Sequence, residues 1–286
     1  MKKTNFDGKP ILVMTINGEP LLTIHSEQKK NFYNYLRLLS ARYKLIIVTD
    51  MPQLKSKMLN KEIGLTDGFI VNNCGSSIFD IKQNVIIAVD NMKKSKMLPI
   101  YRQALIAGDS VIFHTQNIIY IYTHYVKLLS FFIKTFKGIK IELVQNYDDG
   151  IKNLMRNKVE ALEIYNTFYD TSTIFNRNEK IHSICENENL VYNELNSSRL
   201  LLTESCINNA IDLIMEKVNM HYTEVYLINL TNIFHNQNIS SSYEYQTYTT
   251  MEDLFENRTF HIFDNELRDI IIENNFLDIE EIELFE

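Results

Sequence analysis

The residue types that most often carry chemistry are arranged here without the spacings that chemistry needs. The seven histidines, His25, His114, His124, His182, His221, His235 and His261, form no HxxxH or HExxH pair, so no zinc site is written in the sequence. His114 and His124 fall on neighbouring apolar runs and could meet, but a core or surface role outweighs a ligand pair. The three cysteines, Cys74, Cys185 and Cys206, include no CxxC and cannot close a disulfide framework, which fits a reducing compartment. Neither GxGxxG nor GxxxxGK[ST] occurs, so the backbone loops that cradle nucleotide phosphates are missing. GxSxG is absent too, and no serine has an evident base. Tyr243, Tyr245 and Tyr248 alternate at strand spacing; they read first as an edge strand, and second as an aromatic platform for a ligand or partner.

Composition bounds what remains. The chain has 286 residues, 45% of them hydrophobic and 23% charged. That excludes a disordered or fibrous chain and provides enough length for a sizeable core. With 29 basic and 36 acidic residues the formal net charge is −7, which lacks the footprint of non-specific nucleic-acid binding. No stretch reaches the ~18 apolar residues that span a bilayer, and the run Ile11 to Ile16 is too short for a signal-peptide core. The expectation is a cytoplasmic protein that binds neither nucleic acid nor membrane.

The elements that must position any site read as follows. KPILVMTI is a continuous apolar run, the mark of a strand buried on both faces. Ser26 to Tyr43 is predicted as a helix, with Phe32, Tyr35, Leu36, Leu39 and Tyr43 on one stripe. KLIIVT is a second buried strand, and Pro52 opens a helix that Gly64 closes. DGFIVNN is a third strand, and SSIFD with NVIIAV reads as a hairpin. Short connections and a repeated switch of period predict a parallel βαβ sheet. From about Asn84 to Asn193 hairpins and helices mix, which predicts an α+β unit. The α/β texture then returns with a helix carrying Ile207, Ala210, Ile211, Ile214, Met215 and Val218, the strand EVYLINL, a short helix Met251 to Glu256, the strand TFHIF, a helix Glu266 to Phe276 and an acidic tail. The predicted architecture is α/β: a parallel-sheet, Rossmann-like core from residues 1–82 and 196–286, with an α+β domain of residues 83–195 inserted.

Three strings in order, ILVMTINGEPLL, LIIVTDMP and VNNCGSSIFD, resemble the haloacid-dehalogenase-like (HAD) superfamily, in particular its Cof-type sugar-phosphatase branch. There the first strand runs into DxDGTLL, the second ends in TGRP, and NGA precedes a hairpin; the cap domain is inserted after the third core strand. The resemblance implies a core and cap enclosing a phosphate-binding cleft. It also shows where this chain departs. Thr15 and Asn17 stand at the two aspartates that, in the family, attack phosphorus and shuttle a proton. A threonine hydroxyl is a poor nucleophile without an adjacent base, and asparagine cannot exchange a proton. Glu19 replaces the threonine of DGT and brings a negative charge to the phosphate approach. Thr49 keeps the phosphate-binding threonine, but Asp50 and Met51 follow it. Ile207 stands at the family's helix-opening lysine. The stretch Asn229 to Phe234 stands at the magnesium motif and holds no carboxylate, whereas magnesium is usually held by one or two.

Phosphoryl transfer depends on positioning and charge neutralisation, and all of these parts are substituted together. No catalytic residue, metal or cofactor is expected. The expected role is non-catalytic binding or regulation, through the cleft or a partner surface, with a small phosphorylated ligand or a protein as partner. Glu19, Thr49, Asp50 and Asn73 are the candidate ligand-binding residues. The alternative is an active phosphohydrolase working on a small phosphorylated metabolite through Glu19, Asp50 or Thr15, in which case Mg2+ would be its cofactor.

Overall fold

In the computed structural model of the chain, residues 9, 11–16, 26–166, 171–196, 198–218, 225–229 and 244–247 are described. The first sheet contains β1 (Ile11–Thr15), β2 (Lys44–Val48), β3 (Phe69–Asn72), β4 (Ser77–Asp80), β5 (Val85–Val89), β12 (Val225–Asn229) and β13 (Glu244–Thr247), in the order β13-β12-β1-β2-β3-β4-β5. Its β13 to β3 portion is parallel, and β4 and β5 close it as an antiparallel hairpin. The apolar runs become its centre because both of their faces are covered. Leu12, Met14, Leu45 and Ile47 point to one side, where Phe32, Leu36 and Leu39 of α1 (Ser26–Arg42) and Leu59 and Ile63 of α2 (Gln53–Ile63) bury them. Ile11, Val13, Ile46 and Val48 point to the other, against the Ile207, Ile211 and Ile214 stripe of α7 (Ile207–Val218). Gly64 caps α2 in the left-handed conformation, φ 80°, as its place after the apolar stripe predicts.

The second sheet is built from β6 (Ser110–Thr115), β7 (Ile119–Tyr122), β8 (Ile141–Leu143), β9 (Val159–Tyr165), β10 (Val191–Asn196) and β11 (Arg199–Thr203), in the order β10-β11-β9-β6-β7-β8. It is antiparallel except where β8 runs parallel to β7. One face packs on α3 (Lys94–Ile106) and α6 (Thr171–Glu188) through Met97, Ile100, Tyr101, Ala104, Ile181 and Cys185. Phe132 of α4 (Val126–Thr135) and the following Phe136 cover Ile112, Ile119 and Ile121, and α5 (Tyr147–Arg156) completes the unit. Strand exchange between the sheets is displaced from the limits drawn on the sequence: β5 stays with the first sheet, and β11 belongs to the second. Ala161, Leu195 and Leu201 of the second sheet enter the apolar cluster of the first, so core and cap meet through side chains rather than across an open gap.

Among the described residues, no helix is long and apolar enough to cross a membrane. The elements predicted at Met251 to Glu256, TFHIF and Glu266 to Phe276, and the acidic tail, lie outside the described residues, as do Tyr243 and Tyr248. Tyr245 falls on β13, an edge strand of the first sheet.

Candidate functional site at the core–cap junction

Parallel α/β sheets place their sites at the carboxyl ends of the strands, and the predicted residues converge there. Thr15 ends β1 and is in register with Val48 of β2 and Asn229 of β12. The Ile16 N–H donates to Val48 O at 2.8 Å and the Thr49 N–H to Val71 O at 2.8 Å, which holds the three strand ends side by side. Thr49 Oγ1 accepts from the Met51 N–H at 3.2 Å and donates to Asp50 Oδ1 at 3.4 Å. The turn after β3 is tied to the same place, because the Cys74 N–H donates to Thr49 O and the Asn73 N–H to Met51 O, both at 3.0 Å.

That turn, Asn73–Gly75, carries three consecutive positive φ angles: 46° at Asn73, 52° at Cys74 and 126° at Gly75. Glycine is required at its end. A Cβ on Gly75 would lie 2.5 Å from the carbonyl carbon and oxygen of Cys206. The close approach brings the turn against the start of α7, where Ile207 is fully buried. Thr15, Thr49, Asp50, Asn73 and Ile207 are all buried; Asn17 and Glu19 lie outside the described residues.

Four side chains from the cap complete the arrangement. Arg199, at the start of β11, places Nη1 2.6 Å from Asp50 Oδ2 of the core, and its Nε donates to Glu163 Oε1 of β9. The Glu163 Oε2 atom lies 2.9 Å from His114 Nε2 on β6, and His114 Nδ1 lies 2.7 Å from Asn73 Oδ1. Asn73 Nδ2 then donates to Glu160 Oε2 at 3.3 Å, and Ser76 Oγ to the Glu160 backbone oxygen at 3.1 Å. A continuous polar chain thus crosses from core to cap at Asp50–Arg199 and returns at His114–Asn73 and Asn73–Glu160. His114 does not meet His124, whose Nε2 lies 2.6 Å from the Tyr122 hydroxyl on the exposed side; His114 takes the core role.

Charge and burial set opposite states on the two glutamates. Burial alone would raise the Glu163 carboxyl, but the Arg199 charge and the His114 contact overcome it and hold it down at about 2. Burial pushes Glu160 up to about 7, and the Asn73 amide offsets only part of that. Glu160 Oε1 is buried with no hydrogen-bond partner among the described residues. Arg199 is held firmly charged: burial opposes the charge, and Glu163 and Asp50 outweigh it. Burial first and Asp50 second push the Cys74 thiol well up, so it is no ready nucleophile.

Sequence reading missed Arg199, Glu163 and Glu160. In VEALEIY the glutamates are three apart, so simple alternation puts them on opposite faces. A β-bulge removes that separation. His114 pairs with Ala161 and Thr115 with Val159, which leaves Glu160 unpaired on β9. Bulges re-aim side chains, and Glu160 reaches the core turn because of this one.

Among the described residues, those at the strand ends do not fit the magnesium ion implied by the HAD resemblance; Asn17, Glu19 and residues 230–234 lie outside them. Thr15 and Asn229 are register partners at the ends of β1 and β12, and neither residue is a carboxylate. Asp50 is committed to Arg199. Among the described residues no group of three or more His, Cys, Asp or Glu could hold a metal ion.

This parallel core with a second sheet inserted is the haloacid-dehalogenase-like fold with its cap. A haloacid dehalogenase-like hydrolase from Bacteroides thetaiotaomicron superposes with a TM-score of 0.63 over 89% of this chain and 100% of its own, at 14% identity. An HAD subclass IIB sugar phosphatase gives 0.63 over 88% and 98%, at 12% identity. A haloacid dehalogenase-like hydrolase from B. subtilis gives 0.57 over 77% and 83%, at 9% identity. No protein-family model and no curated protein matches the chain.

Proposed function

We propose that this chain is a HAD-fold protein that has lost phosphohydrolase chemistry and acts through binding, with a small phosphorylated ligand or a protein as partner. The observation that carries the reading is the Asp50–Arg199–Glu163 bridge. In the HAD resemblance, the space beyond Thr15 and Thr49 receives the phosphoryl group. Here the cap's arginine pairs with Asp50, the neighbour of Thr49, at 2.6 Å and with Glu163, so its charge is neutralised by the protein's own carboxylates. A phosphate that took Arg199 as its cation would have to displace Asp50 from a buried ion pair, which costs several kcal/mol. The neutral groups Thr15 and Asn229, and the apolar Ile207, support the same reading, because Thr15 offers only an unactivated hydroxyl and none supplies a carboxylate or a cation. Rescue by Asp50 is disfavoured, since its carboxylate is already engaged.

The test is turnover of para-nitrophenyl phosphate and a panel of sugar phosphates with Mg2+. The expected result is no hydrolysis above a blank without protein. Reproducible magnesium-dependent hydrolysis that Thr15→Ala abolishes would overturn the proposal.

A further inference from the structure

The polar chain between core and cap contains one member whose charge is not matched. Asp50 and Glu163 share Arg199, and Glu163 also meets His114. Among the described residues the Glu160 carboxyl meets only the neutral amide of Asn73, its other oxygen is buried without a partner, and its backbone oxygen accepts from the Ser76 hydroxyl. It is also the bulged residue of β9, the point at which the cap sheet leans on the core turn. Of the charged groups on the adjoining segments, Asp90, whose N–H donates to Ser76 O, and Lys158, two residues before Glu160, are exposed. His114 on β6 and Glu163 on β9 belong to the chain, as do Arg199 on β11 and Asp50 and Cys74 in the core. At the end of β11, Glu204 is paired with Lys96 at 2.6 Å.

We propose that the Asp50–Arg199–Glu163–His114–Asn73–Glu160 chain is a clasp that holds the cap shut on the core, and that ionisation of Glu160 releases it. The proposal concerns opening and does not depend on whether the cleft retains catalysis. Its direction follows from burial. A protonated Glu160 fits the closed junction, where its neutral carboxyl costs little. An ionised Glu160 has no cation beside it there and is better solvated when the junction opens. Opening restores the carboxyl towards its ordinary 4.5 from about 7. The open fraction therefore rises about tenfold per pH unit across that interval and levels off above it. The Glu163 carboxylate stays ionised throughout the same interval, since it is held low at about 2.

The protein supplies its own reporters. Cys74 is fully buried inside the clasp, Cys185 is buried among the cap's helices at 1% exposure, and Cys206 is partly exposed. Iodoacetamide labelling of the native chain, read peptide by peptide by mass spectrometry from pH 5.5 to 8, gives the Cys74 to Cys206 ratio, in which the reagent's own pH dependence cancels. The ratio is expected to rise about fifteenfold between pH 5.5 and 7 and about twofold more by pH 8, where it flattens, with Cys185 still protected. Glu160→Gln, which keeps the shape and cannot ionise, should remove the rise and leave Cys74 protected at pH 8. Arg199→Met, or Arg199→Lys if the first does not fold, should label at Cys74 already at pH 5.5. A Cys74 ratio flat with pH, a rise unchanged in Glu160→Gln, or Cys185 labelling in step with Cys74 would each overturn the clasp.

Discussion

Replacing Arg199 by methionine removes the cation that two buried carboxylates share while keeping much of the side-chain volume. Asp50 and Glu163 are both fully buried, and Arg199 is 6% exposed. Removing one partner of such a pair leaves an uncompensated buried charge and costs about 3–5 kcal/mol. The Glu163 carboxyl gives an independent magnitude. It is held at about 2 instead of 4.5, and at 1.36 kcal/mol per unit the protein forfeits roughly 3 kcal/mol at neutral pH if that stabilisation vanishes. Urea unfolding of wild type and Arg199→Met at pH 7 should therefore differ by about 3 kcal/mol. The sign of the pH dependence separates lost charge from lost packing. A depressed carboxyl stabilises above its unfolded value and loses that contribution as pH falls towards 2. Without Arg199 the buried Glu163 instead takes up a proton readily, so the deficit should shrink when the comparison is repeated at pH 4.5. A deficit under about 1 kcal/mol, the size of an exposed pair, or one that does not change with pH, would refute this reasoning.

Further outcomes follow from the same geometry. Gly75→Ala should destabilise by at least about 1–3 kcal/mol in thermal or urea unfolding, because it adds strain at φ 126° and a methyl 2.5 Å from the Cys206 carbonyl. Glu160→Gln should match wild type near pH 4 and exceed it above pH 7 by as much as about 3 kcal/mol, because a raised carboxyl contributes stability below 4.5 and loses it as pH climbs through about 7. Leu162→Ala, in the cap's buried cluster, should cost about 2–5 kcal/mol without shifting the pH profile of Cys74 labelling.

The strands were legible because burial on both faces leaves a continuous apolar run. ILVMT, KLIIV and FIVN became the parallel centre of the sheet, and Gly64 ended its helix. The order of Thr15, Thr49 and Asn73 along the chain also gave their convergence, since short right-handed crossovers bring successive strand ends together. The partners from the cap were hidden for physical reasons. Arg199 opens RLLLT, where a strand-end arginine usually faces water, and only the meeting of two sheets buries it. Glu160 is turned by a bulge that alternation cannot reveal. Of the four cap side chains in the polar chain only His114 was singled out, and its partners come from a strand 49 residues away and a turn 41 residues away. The limits of the cap were drawn at composition shifts, whereas strand pairing put β5 and β11 on the other side of them.

The bridge across the cleft is tested most directly by a double-mutant cycle between Asp50 on the core and Arg199 on the cap. Unfolding free energies are measured for wild type, Asp50→Asn, Arg199→Met and the double variant at pH 7. A coupling of about 2 kcal/mol or more is expected, within the range for residues in one buried ionic network. Additive effects, with a coupling within about 0.5 kcal/mol of zero, would mean that Arg199 does not join cap to core, and the closed, self-neutralised cleft would have to be abandoned.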